Sequence, residues 1–167
     1  MLQLQRSFQK PIFGGGRKVL QDLLFLEEGF ARAYTYNTAG EEITIAFYPQ
    51  NQVICELYSF FKLVPAKESI QTLTDCKVWY LTYDAVQHAF HTYPFFREFG
   101  RTLLVNAYAQ LKLRMLSALQ ETADKRYAKL IETNKEIFRH AQLKHVASYL
   151  GITDTSLSRI RKEFAGT

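Results

Sequence analysis

Between residues 4 and 81, apolar and polar positions alternate in short runs, the period-two signature of half-buried strands. The runs are Phe8, Ile12 with Phe13, Val19, and residues 23–26, 31–36, 43–48, 53–54, 70–73 and 78–81. Turn signals separate them: Gly14-Gly15-Gly16, Glu28-Gly29, residues 37–40, and Pro49-Gln50-Asn51. Strands recurring about every ten residues, with turns of this kind, predict a β-sandwich or barrel. The triple glycine reads as a tight turn. No Lys-Ser/Thr follows it, so it is not a phosphate-binding loop.

The period changes near Tyr83. Residues 84–91 read as a short helix, and Pro94 interrupts it. From Phe95 to about Gln120 a long helical pattern runs without Gly or Pro after Gly100. Leu104, Tyr108, Leu111, Met115 and Ala118 recur at spacings of four and three, an a/d seam suited to a second subunit. A second stripe of Val105, Ala109, Leu116 and Leu119 is expected to pack on the barrel. Thr122 and Asp124 start another helix, with Ala123, Tyr127, Leu130 and Ile131 facing inward and an end near Asn134. A connector over residues 136–142 follows.

The final pattern is the most specific. Residues 143–163 read as two short helices around a tight turn. Leu143, Val146, Ala147 and Leu150 share one face, and Leu157 and Ile160 share one after the turn. Gly151 stands where the first helix must stop, free to take positive φ. Thr153 is the expected N-cap, and Asp154 places a negative charge where the helix dipole favours it. Ala147 is small, as steeply crossing helices require at their contact. Thr155, Ser158, Arg159 and Lys162 remain outward with Asp154, a polar and basic face fit for base edges and phosphates.

Charge sharpens that picture. Residues 1–123 carry 12 Lys/Arg against 11 Asp/Glu, a net of +1, and residues 124–167 carry 9 against 5, a net of +4. A basic excess on the segment holding the helix pair suits a polyanion. An apolar fraction of 47% argues for a packed core rather than disorder. No apolar run approaches the ~20 residues that span a membrane, and MLQLQRSFQK lacks a signal peptide's apolar centre, so the expected location is the cytoplasm, with no membrane partner. Cys55 and Cys76 show no metal spacing and read as small buried apolar residues. His88, His91, His140 and His145 lie outside the strand region, and His88 with His91 suggests no third ligand. No metal, no cofactor and no catalytic set is expected, so the chain reads as a non-enzyme.

A β-barrel, a long helix and a C-terminal helix-turn-helix, in that order, resemble the Crp/Fnr family of bacterial transcription regulators. The marks are FLEEG (residues 25–29), ARAY (31–34), ICEL (54–57) and LKHVASYLGITDTSLSRIRK (143–162). The resemblance implies an α+β chain in three parts. An N-terminal β-barrel or jelly roll of the cyclic-nucleotide-binding type covers residues 1–93, and a long dimerisation helix covers 94–121. A winged-helix-like helix-turn-helix domain covers 122–167, with little room for the wing itself, and the family's helix before the first strand looks shortened or missing. It further implies a homodimer on palindromic double-stranded DNA, contacted by Lys144, His145, Thr153, Asp154, Thr155, Ser156, Ser158, Arg159 and Lys162. Leu104, Tyr108, Leu111, Met115 and Ala118 would form the subunit interface. RNA polymerase is a further expected partner if the regulator is an activator.

The family's effector pocket maps to Cys55, Glu56, Leu57, Lys67, Glu68 and Ser69. Cyclic-AMP binders carry Gly-Glu-Leu and then Arg-Ser/Thr-Ala, whose arginine neutralises the cyclic phosphate. Here Cys55 replaces the glycine, and Lys67-Glu68-Ser69 stands where the arginine is expected. The expectation is a small-molecule effector other than cyclic AMP, or none. Two other readings stay open: a cupin-like barrel enzyme binding a small molecule, and a protein-interaction module that has lost DNA binding. Thr155, where the family often has Glu, keeps the second open, and Arg159 argues against it.

Overall fold

The computed structural model describes residues 3–8 and 18–165. The glycine turn at residues 14–16 and the run at Ile12 and Phe13 lie outside the described residues. Among the described residues, seven strands form two antiparallel sheets. The first has the order β1 (Gln3–Phe8), β7 (Cys76–Thr82), β2 (Asp22–Glu28), β5 (Gln52–Ile54), and the second the order β4 (Glu42–Tyr48), β3 (Ala31–Tyr36), β6 (Ser69–Thr72). The alternation seen in the sequence sets their faces. Leu24, Leu26, Ala31, Ala33, Ile54, Ile70, Cys76 and Val78 point inward and form the core of a jelly-roll-like β domain. Val19 makes only an isolated bridge, to Pro65.

Gly29 turns β2 into β3 at φ +103°. A Cβ there would lie 2.4 Å from the Asp75 carbonyl oxygen and 2.5 Å from Cys76 Sγ, so only glycine fits between these strands.

Helices follow the strands. The short helix α1 (Leu57–Lys62), between β5 and β6, was not foreseen. It is capped by the Glu56 carboxylate, which accepts from Ser59 N at 2.7 Å, and stopped by Leu63 at φ 53°. Helix α2 (Tyr83–Thr92) leads into the 27-residue α3 (Pro94–Gln120), with Pro94 in the first turn, where its missing N–H costs nothing. Thr122 caps α4 (Ala123–Thr133), which ends at Asn134 as expected. The expected connector contains a single turn of helix, α5 (Ile137–His140), before α6 (Leu143–Leu150) and α7 (Asp154–Ala165).

The second stripe of α3 departs from expectation. Val105 and Leu119 are 55% and 76% exposed, so this face does not pack on the barrel of its own chain. Instead α6 lies against β4. Phe30 and Phe47 of the β domain share one core with Tyr127, Leu130, Ile137, Val146, Leu157 and Ile160 of the helices.

Substitution at the two turn glycines separates strain from collision. Gly29→Ala should cost about 3 kcal/mol from positive φ plus overpacking. Gly151→Ala, at φ +68° with open space around its Cβ position, should cost about 1 kcal/mol. Urea midpoints at constant slope measure both.

Candidate functional site

Two places gather the residues singled out above. The first is the helix pair. Gly151 takes the left-handed conformation at φ 68°, and its N–H meets the carbonyls of Ala147 and Ser148. Ile152 N also donates to Ala147 O, at 3.0 Å, closing the helix end. Thr153 Oγ1 accepts from Ser156 N at 3.2 Å, the expected cap of α7. Val146, Ala147, Leu150, Leu157 and Ile160 are buried, so the pair is pinned from below.

That burial leaves Thr153, Asp154, Thr155, Ser158, Arg159 and Lys162 exposed, as Lys144 is on α6. Ser156 is half-buried and bonded to the cap hydroxyl at 2.9 Å. Arg159 is loosely held, its Nε 3.9 Å from Glu163 and its side chain 77% exposed. Arg161 was missed. It is exposed and stands seven residues after Asp154, on the same face by helical spacing, which the sequence alone allows one to count.

His145 is where the structure departs from the expected phosphate contacts. It is 6% exposed and faces the β domain, with Nδ1 buried and without a hydrogen-bond partner. Its pKa falls to about 4, first through burial and then through the charges of Arg32 and Lys144. The neutral ring stands beside Arg32, itself 1% exposed, which donates from Nε to Gln71 at 2.8 Å and from Nη1 to Thr44 at 3.0 Å, and which pairs with Glu42. A hydrogen bond ties the helix pair to the β domain: Thr44 N donates to Ser148 Oγ at 2.8 Å.

The second place is the barrel pocket. Glu56 is buried with its carboxylate committed to the start of α1. Burial pushes the Cys55 thiol up to about 12, so it stays a neutral thiol. Cys55 and Leu57 also line a wholly apolar cavity closed by Phe90, Phe96 and Leu103. The Lys67 ammonium lies 5.5 Å from the centre of the exposed Tyr58 ring. Ser69 is buried. Glu68 is half-buried, and its carboxyl is pushed up to about 7 by burial and by the charge of Glu56. The phenol of Tyr48 is raised by burial and by the same carboxylates. The pocket therefore gathers acids where a cyclic phosphate needs a cation.

The α3 seam is open: Tyr108 and Leu111 are 67% and 65% exposed, and Leu104, Met115 and Ala118 are exposed with them. Among the described residues no group of three or more His, Cys, Asp and Glu is placed to hold a metal, and no helix is long and apolar enough to cross a membrane.

A carboxyl raised by its surroundings opposes folding once ionised. Stability from Glu68 is therefore full below about pH 4.5 and is lost as pH rises through about 7. Glu68→Gln should match the wild type near pH 4.5 and exceed it by about 1 kcal/mol at pH 8.5, a figure reduced for solvent screening of this half-buried group. Urea titrations at the two pH values test this; a gap that does not depend on pH would remove the electrostatic cause.

The geometry has close counterparts. The cyclic nucleotide-binding domain family matches residues 9–93. No curated protein matches the chain by sequence. FixK2 from Bradyrhizobium japonicum superposes with a TM-score of 0.83 at 16% identity, covering 99% of this chain and 85% of that one. CLP from Xanthomonas campestris, described as a c-di-GMP responsive global regulator, gives 0.75 at 14% identity, with 98% and 86% covered. A Crp/Fnr family transcriptional regulator from Eubacterium rectale gives 0.76 at 16%, with 97% and 78% covered. At these identities the likeness speaks for the fold, and the family rests on the domain match. The chain therefore belongs to the cyclic nucleotide-binding domain family and has the fold of the Crp/Fnr regulators.

Proposed function

We propose that this chain is a DNA-binding transcription regulator of Crp/Fnr type that acts as a homodimer on a palindromic operator and does not respond to cyclic AMP. One observation carries the reading: α6 and α7 meet around Gly151 with Val146, Ala147, Leu150, Leu157 and Ile160 buried, which leaves a polar and basic face on α7 in solvent. A face of this kind enters the major groove with its N-terminal residues at the base edges. Thr155 and Arg159 occupy those places, while Lys144, Arg161 and Lys162 neutralise phosphates. His145 is left out of the contacting set because it is spent on the β domain. The uncovered seam of α3 supports a dimer. Two-fold symmetry then sets the half-sites about 34–36 Å apart.

The effector reading rests on electrostatics. A cyclic phosphate keeps a full charge that must leave water, which requires a positive partner. The pocket offers Glu56 and Glu68 instead, with Lys67 turned onto Tyr58. A neutral or cationic effector, or an unliganded barrel, fits this charge pattern.

Selection of bound duplexes from a random pool tests DNA binding directly, and failure to enrich any sequence would refute it. On the selected site, Arg159→Ala should relax the preference at one base pair per half-site by about 1–3 kcal/mol. Lys162→Ala should weaken all sequences alike and lower the salt dependence by about one contact per subunit. Uniform loss from both variants would take the base-reading role from Arg159. Calorimetry with cyclic AMP should give no heat, and micromolar binding would mean that Lys67 turns inward to replace the arginine.

A further inference from the structure

Arg114 belongs neither to the α3 seam nor to the outward face of α7, yet it touches three parts of the molecule. It projects from α3. Its Nη1 donates to the Ile45 carbonyl of β4, its Nη2 donates to the Tyr149 carbonyl of α6 at 3.2 Å, and its guanidinium lies 4.0 Å from the Tyr149 ring centre. That ring in turn packs on Phe47, 5.1 Å between centroids. β4 is the edge strand of its sheet, and the contacts beside Arg114 run along the same edge: Thr44 N to Ser148 Oγ, and Ser148 Oγ to Glu42 O at 3.3 Å.

A guanidinium is planar and rigid, so two acceptors on one fork are held in a fixed mutual orientation. One acceptor here is on the barrel edge and the other is at the end of the first helix of the pair, while the side chain itself is rooted in α3. The fork therefore fixes three bodies at one angle. In a dimer built on α3, that angle sets the separation of the two recognition helices. A displacement of about 3.4 Å, one base-pair step, changes which operator fits.

We propose that Arg114 is the positioning residue that sets the angle of the helix-turn-helix on α3, and with it the half-site spacing the dimer accepts. The proposal rests on the DNA-binding reading above and goes beyond it, because Arg114 reads no base and meets no phosphate.

The test uses the full chain as wild type, Arg114→Ala, Arg114→Lys and, as a charge control on the exposed face of the same helix, Lys112→Ala. Competition binding uses palindromes of the selected half-site with spacers one base pair shorter or longer. Hydrogen exchange at the Thr44 amide reports docking without DNA. Wild type and Lys112→Ala should prefer one spacer by about tenfold. Both Arg114 variants should fall below about threefold while keeping the half-site sequence choice, and Thr44 should exchange about tenfold faster in them. A lysine places one point charge where the fork held two carbonyls, so it should not rescue. Should the alanine variant not fold, the lysine variant decides the matter alone. Unchanged spacing preference with wild-type protection at Thr44 would overturn the proposal. If the wild type binds no duplex, it is the regulator reading that fails, and exchange at Thr44 still decides whether Arg114 holds the helix pair to the barrel.

Discussion

An open edge strand is the constraint on which the rest of this molecule turns. Among the described residues the backbone groups of β4 facing away from β3 have no strand to meet, and such an edge must be covered or blunted. The cover is α6. Ser148 takes the Thr44 amide, Arg114 takes the Ile45 carbonyl, and the rings of Phe47 and Tyr149 close over the apolar part. Beneath them Arg32 is removed from water only because Gln71, Thr44 and Glu42 answer its donors. An arginine so buried is tolerable when every N–H has an acceptor and harmful when one is lost. The docking of the helices and the satisfaction of that buried charge are thus one arrangement.

The barrel pocket works by the opposite logic. Its acids are crowded while the Lys67 ammonium lies over Tyr58, and the crowding is relieved by keeping a proton. Glu68 and Tyr48 are each biased toward their neutral forms by burial and by nearby carboxylates. A site in that condition donates hydrogen bonds more readily than it accepts negative charge. The domain match and the local charge point in different directions here, and the local charge governs which ligand can leave water at this spot.

Much of the architecture was legible because it is periodic. Strand faces follow from alternation in residues 22–28 and 76–82, and the helix pair follows from Gly151 and the small Ala147. What escaped did so for identifiable reasons. Helix α1 ends on Leu63 in the left-handed region, so no glycine marks it, and its aromatic run of Tyr58, Phe60 and Phe61 suits a strand equally well. Periodicity says that a face is apolar but not what covers it. The stripe of Val105 and Leu119 reads as barrel-facing yet lies open, and His145 reads as a phosphate contact yet is buried within the charge field of Arg32. Arg114 gives no signal in the sequence, since its hydrogen-bond acceptors are carbonyls, and carbonyls have no letter there.

The shared core has a further consequence, for how the chain comes apart. Phe30 and Phe47 are as much part of the helical core as Leu157 and Ile160 are, so the break in sequence near residue 122 is not a break in free energy. Heating should unfold barrel and helices as one cooperative unit rather than as two. A fragment stopped before α4 would bare Phe30 and Phe47 together with the edge of β4, beside the already exposed Ile43. That is a template for strand-to-strand association. The helices that this reading sends to DNA therefore have a second duty within the molecule, as the guard that keeps one strand from recruiting its copies.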